Sequence, residues 1–301
     1  MKGNAALRRT RWNKRIFLMV MMAPAIVSFL VFYVYVNFNS ILMAFQEPLA
    51  GGDYKWGFGN FSGFFNELGG TDSLFMSSIS NTAIFFLTGY IGMILSLLLC
   101  YFIYKKVWGY KVFRFVFYLP NIIMGTVTVS LFKYIIEIGG PIDRLIQMMG
   151  GDGIPLLLAD SRYAIWTLVF YNLFFGLGGN MILLSGAMTS ISNEVIEAAR
   201  LDGVSWIREM FQIVIPLIWP TLQVMLLTSV VGITTASGPI LLFTQGRFDT
   251  YTISYWIYEQ VLNSAQLEMA SAVGLVCTII TFPIAWCVKT LLNKVSDKIG
   301  V

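Results

Sequence analysis

Histidine is absent from the 301 residues, which removes imidazole general bases, histidine-containing catalytic triads and most zinc sites. Charge is scarce as well: Asp, Glu, Lys and Arg make up 12% of the chain, where soluble domains carry about 25%. The three cysteines, Cys100, Cys277 and Cys287, fall in apolar runs with no CxxC spacing, so a disulfide framework is not expected. No GxxxxGK[ST] stretch is present, so the chain has no loop of its own to hold nucleotide phosphates. Charged residues are also missing from the middle of every long apolar run, Lys133 and Glu268 standing near the ends. Proton- and sodium-coupled carriers usually need an intramembrane carboxylate or a similar relay, and many are built on internal repeats, none of which is visible here. A self-contained secondary transporter is therefore disfavoured. No catalytic residue, no metal site and no nucleic-acid partner is expected.

What remains is apolar. Hydrophobic residues make up 57% of the chain, and six runs approach or exceed the ~20 residues that cross a bilayer: 16–36, 81–104, 115–135, 163–188, 216–242 and 269–292. The fold class expected is all-α, a polytopic membrane protein with six transmembrane helices. The first run follows a basic stretch, but it is too long for a signal peptide and no small-residue cleavage site follows it. The expected organisation is a basic arm over 1–15, a first transmembrane helix over 16–37 and an extracytoplasmic cap segment over 38–80. A transmembrane core over 81–292 and a short tail over 293–301 complete it.

Lys and Arg set the orientation. The arm carries Lys2, Arg8, Arg9, Arg11, Lys14 and Arg15 with no acid. Lys105, Lys106, Lys111 and Arg114 lie between the second and third runs, and Lys289, Lys294 and Lys298 near the end. The other side has only Lys55, Lys133, Arg144, Arg162 and Arg247. Both termini are expected in the cytoplasm of a multi-pass protein of the cell membrane. The 38–80 and 137–160 connections are rich in breakers, among them Gly51-Gly52, Gly139-Gly140-Pro141 and Gly150-Gly151, and read as compact caps with short interfacial helices. Gly238-Pro239 is expected to break the fifth run near its outer end, and Gly178-Gly179 to mark a kink, a close helix contact or simply a residue pair that a membrane helix tolerates.

One polar island interrupts the pattern: Glu194-Val-Ile-Glu197-Ala198-Ala199-Arg200-Leu-Asp202-Gly203-Val204, followed by Ile215-Pro216. It reads as two short helices broken at Asp202-Gly203. Ser192 is the candidate cap of the first, with Glu194 and Glu197 near its positive end. The second places Ile207, Met210, Phe211 and Val214 on one face, with Arg208, Glu209 and Gln212 opposite. Its acidity is unsuited to anionic lipid, so a soluble protein partner is the better match.

Glu197-Ala198-Ala199, Asp202-Gly203 and Ile215-Pro216 together resemble the EAA loop of ABC importer permeases, here over 189–215. Shorter matches run along most of the chain and resemble the sugar-importing branch: Asn81-Thr82, Phe113-Arg114 with Leu119-Pro120, Thr244-Gln-Gly246 with Thr250 and Thr252, and Met269-Ala-Ser-Ala272. Ser192-Asn193, Val204 and Ile215 depart from the family's usual residues. The resemblance implies a type I importer permease and a non-catalytic subunit that forms half of the translocation pathway. In it Glu197, Ala198, Ala199, Asp202 and Gly203 would dock a separate ATPase. The implied partners are a second permease, homologous and forming a heterodimer, two ATPase subunits holding ATP and magnesium, and an extracytoplasmic solute-binding protein. The chain itself would bind no cofactor. Carbohydrate is the implied cargo, with another small solute as the alternative. Tyr171, Asn172, Asn180, Gln223 and Thr228 are polar residues of the fourth and fifth runs that could line the path, or could bond one helix to another.

Overall fold

The structure is a computed structural model. It describes residues 2–49, 53–70, 74–235, 238–262 and 266–299, without the side chains of 2–13 and 15. Gly51-Gly52 lie outside the described residues.

The chain opens with α1 (Lys2–Ser28), a π-helical stretch (Phe29–Tyr35) and α2 (Val36–Ala44). A two-stranded antiparallel hairpin follows, β1 (Gln46–Pro48) with β2 (Tyr54–Trp56), in the register Glu47 opposite Lys55, and then α3 (Gly59–Gly69). The long α4 (Leu74–Tyr104) leads to α5 (Tyr110–Ile122), α6 (Gly125–Ile136) and the short α7 (Pro141–Met148). The second long helix is α8 (Ser161–Thr189), after which come α9 (Asn193–Leu201), α10 (Trp206–Glu209), a π turn (Met210–Val214) and α11 (Ile215–Leu217). Finally α12 (Trp219–Val231) runs into a 3-10 turn (Gly232–Thr235), then α13 (Ile240–Phe243), α14 (Ile253–Leu262) and α15 (Leu267–Ile299).

Among the described residues, four helical stretches are long and apolar enough to cross a bilayer, and the number reaches six when each of two bent helix pairs is taken as one span. The chain is an all-α polytopic protein, the hairpin being its only described sheet. Its core is the α4–α8 pair, on which α5 and α12 pack. At one end the buried cluster joins Met93, Tyr101, Leu184 and Met188 to Ile196, Met210 and Val214 of the polar loop. At the other it gathers Phe85, Phe132, Tyr171 and Phe243.

Two expected spans are not straight. The third bends by 113° between α5 and the segment after it. Pro120 lacks the N–H that would continue the ladder, and Ile123 leaves the helix in an extended conformation, ψ 140°. The fifth bends by 75° at Ile218, before Pro220 in the first turn of α12. The α-helical part of that run ends at Val231 and gives way to the 3-10 turn Gly232–Thr235, and Gly238-Pro239 does turn the chain, Gly238 at φ +53° and Pro239 capping α13. The hairpin in the 38–80 segment was not expected; Asn60 holds it by donating to the carbonyls of Ala44 (3.1 Å) and Gln46 (2.8 Å). Helix also runs through the expected basic arm and on to Ala44.

Candidate functional site

The polar loop forms as two short helices joined at Asp202-Gly203. Ser192 occupies the N-cap of α9 in an extended conformation, although its side chain makes no capping bond. Gly203 takes φ +69°, a left-handed conformation that glycine adopts without steric cost. The amides of Asp202, Gly203 and Val204 close the turn on Ala198, Arg200 and Ala199 carbonyls at 3.0–3.1 Å. Of the five expected docking residues, Glu197, Ala198, Asp202 and Gly203 are exposed, whereas Ala199 is buried within the chain. The small side chain at 199 therefore lets α9 lie close to its own bundle, and it is Ala198 that faces outward.

The second helix corrects the periodic reading. Ile207 and Phe211 are exposed, and Glu209, expected on the polar face, is 2% exposed. The π turn at Met210–Val214 has more residues per turn than an α-helix. Glu209, Met210 and Val214 consequently face inward together. Glu209 meets Lys105, whose Nζ donates to both carboxylate oxygens at 2.7 Å. Beside this pair the Tyr101 hydroxyl donates to the Trp206 carbonyl at 3.1 Å. Two polar residue pairs, with three hydrogen bonds between them, thus fasten α10 to the end of α4. The loop's outer surface shows Leu201 at 89% and Trp206 at 62% exposure. Neither was marked by the sequence reading; a large apolar residue beside a turn glycine was the available signal.

The expected path residues are mostly engaged inside the chain. Tyr171 is buried, its hydroxyl 3.0 Å from that of Thr128 and its ring stacked on Phe175 at 4.4 Å. Gln223 donates to the Asn293 side chain at 2.5 Å, and the Thr228 hydroxyl bonds back to the Val224 carbonyl of its own helix at 2.9 Å. Asn172 and Asn180 are half-buried on α8 with no side-chain partner among the described residues.

The shorter motifs meet in space. Asn81 donates to the carbonyls of Asp249 (2.6 Å) and Tyr251 (2.8 Å), Thr82 accepts from the Ile253 amide at 3.0 Å, and the hydroxyls of Thr244 and Thr250 lie 2.6 Å apart. The start of α4 therefore holds the 244–252 loop, in which Gln245, Gly246, Phe248 and Asp249 all have positive φ. This is a latch at the end of the bundle remote from the polar loop.

Residues 90–300 match the family described as "Binding-protein-dependent transport system inner membrane component". The chain is 29% identical over 245 residues to the lactose transport system permease protein LacF of Rhizobium radiobacter, covering 78% of this chain and 80% of that one. It is 23% identical over 302 residues to the alpha-glucoside transport system permease protein AglF of Rhizobium meliloti (strain 1021), covering 97% and 87%. Its fold matches a chain of a bacterial ABC transporter involved in the import of the acidic polysaccharide alginate, with a TM-score of 0.80, 23% identity, and 96% and 99% of the two chains covered.

Proposed function

The chain belongs to the family of binding-protein-dependent transport system inner membrane components, and from that premise we propose that it is the permease subunit of an ATP-driven importer of carbohydrate, an oligosaccharide or related sugar. The observation that carries this reading is the exposed two-helix loop, bonded to the end of α4 through Lys105–Glu209 and Tyr101–Trp206, in a chain without a phosphate-binding motif. Such a loop transmits a push from a separate ATPase into the helix that crosses the bilayer. Glu197, Ala198, Asp202, Gly203, Leu201 and Trp206 form the docking face, and Ala199 shapes it from beneath.

The chain catalyses nothing by itself and binds no cofactor; ATP and magnesium sit on two ATPase subunits. A second, homologous permease completes the pathway, and an extracytoplasmic binding protein delivers the sugar. Both termini and the docking loop are cytoplasmic, and the hairpin end faces out. Nucleotide binding and hydrolysis switch the pair between outward- and inward-facing states. Sugar as cargo is supported by the relatives named for lactose and alpha-glucoside transport. Among the path candidates, Asn172 and Asn180 retain free side-chain amides to offer it.

Reconstitution of the chain with its partners in liposomes tests this reading. Uptake of labelled sugar should require ATP and binding protein, and should continue when proton and sodium gradients are collapsed. Uptake stopped by an ionophore while ATP remains present would return the secondary-transporter reading.

A further inference from the structure

A cavity of about 560 Å³ opens where α4 ends, α5 begins, α8 ends and α9 crosses them. Its wall carries Lys105, Lys106, Arg114 and Arg200, with Thr189 and Asn193 as further polar groups, and no carboxylate. Lys105 is already paired with Glu209. Lys106, Arg114 and Arg200 are exposed and have no ion-pair partner among the described residues. Three unpaired cations around one cavity repel one another, so an anion seated there relieves them and gains charge-assisted hydrogen bonds.

The surroundings identify the source of that anion. The cavity lies at the end of a 31-residue apolar helix, at the level where a bilayer gives way to water. The adjoining turn displays Trp108 at 95% exposure, the side chain enriched at that boundary. Beside it α5 presents Val112 and Phe115, 66% and 65% exposed, an apolar flank along which acyl chains can run. We propose that this cavity binds the phosphate headgroup of an anionic phospholipid, and that the lipid braces α9 against α4, α5 and α8. The binding site stands on this geometry; only its assignment to the cytoplasmic leaflet rests on the proposed topology.

The test is lipid retention. The assembled transporter, purified through a tag on this chain and washed in detergent, is examined by native mass spectrometry after exposure to phosphatidylglycerol or phosphatidylcholine. The wild type should retain phosphatidylglycerol and not phosphatidylcholine. The triple variant Lys106→Gln, Arg114→Gln, Arg200→Gln should retain it roughly 100-fold less, at about fivefold per cation removed. Arg200→Gln alone, on an exposed position, should lose roughly fivefold. Lys294→Gln with Lys298→Gln, exposed on α15, should retain lipid as the wild type does. Equal loss in that control would assign retention to bulk charge and overturn the proposal. Displacement of the lipid by millimolar inorganic phosphate would show a site for a free anion, and loss of ATPase subunits in place of lipid would show a protein contact; either overturns it. Retention is read without transport, so its failure leaves the proposed function standing, and failed uptake leaves the lipid site standing.

Discussion

Glu209 shows what a single side chain decides here. Its side chain is 3% and that of Lys105 19% exposed, so each charge depends on the other for compensation. Removing one partner of a buried pair costs about 3–5 kcal/mol, while replacing both by apolar residues is often neutral. Glu209→Ala should therefore lower the thermal stability of the assembled transporter and weaken coupling, and Lys105→Met with Glu209→Leu should recover the melting temperature. A double variant as unstable as the single one would show that the pair is not the origin of the loss. Gly203 is a milder case. A Cβ there meets nothing within 4 Å, so only the left-handed backbone is at stake. Asn is several-fold enriched in that region and a β-branched residue is an outlier. Gly203→Asn should keep ATPase stimulation by loaded binding protein near normal and Gly203→Val should reduce it. Asp143 adds a pH dependence. The amides of Ile154 (2.7 Å) and Gly139 (2.8 Å) donate to its carboxylate and hold it below the usual carboxylate range. A depressed pKa stabilises the fold above the unfolded value of about 3.9 and ceases to do so as pH falls through the lower folded value. Protection of the Ile154 and Gly139 amides, measured as exchange relative to the intrinsic rate at each pH, should hold through about pH 5–8 and be lost only below the usual carboxylate range. Of these residues only Gly203 was legible beforehand, because an Asp-Gly step announces a turn. Glu209 and Asp143 depend on partners 104 and 11 residues away, which no local pattern reveals.

At the scale of elements, the Gly178-Gly179 pair resolves into a close helix contact. A Cβ on Gly178 would lie 2.3 Å from the Phe117 carbonyl oxygen and 2.1 Å from Asn121 Nδ2, so backbone leaves it no room. Gly178→Ala must push α5 away from α8, and forced overpacking of this kind typically costs about 1–3 kcal/mol. Gly176→Ala, with nothing within 4 Å of its Cβ, is the matched control. Detergent thermal melts of the two variants should differ, with only Gly178→Ala lowered; equal midpoints would mean that α5 gives way freely. The number of apolar runs was readable because hydropathy records how much chain avoids water. Direction was not, since an apolar run looks the same straight or bent. Pro120 and Pro220 stand inside apolar runs of the sequence, yet whether proline kinks a helix or ends it depends on what receives the freed backbone groups. The inward rotation of Glu209 was hidden for a related reason, since a π turn leaves no mark in a pattern read at 3.6 residues per turn.

For the molecule as a whole, orientation is the expectation most open to direct measurement. A reporter before Lys2 or after Val301 should be cytoplasmic, and one inserted at Gly51-Gly52 should lie outside. A cytoplasmic signal from Gly51-Gly52 would invert the chain and place the α9–α10 loop away from ATP. The first span bears on the assembly differently. None of the apolar window in Ile16–Ala44 is buried, and its main hold on the rest is α2 packed on α15. Those two helices stand at opposite ends of the order of synthesis. At ~5–20 residues per second, the roughly 220 residues from Ala44 to Leu267 take roughly 10–45 s to make. For that interval the first helix stands in lipid without its intrachain neighbour, stable because it is apolar and free because nothing yet holds it. For the proposed second permease, the window for meeting this helix would thus open before this chain is finished and narrow when α15 arrives. Ribosome pausing late in the message should prolong that window and raise the share of correctly paired subunits.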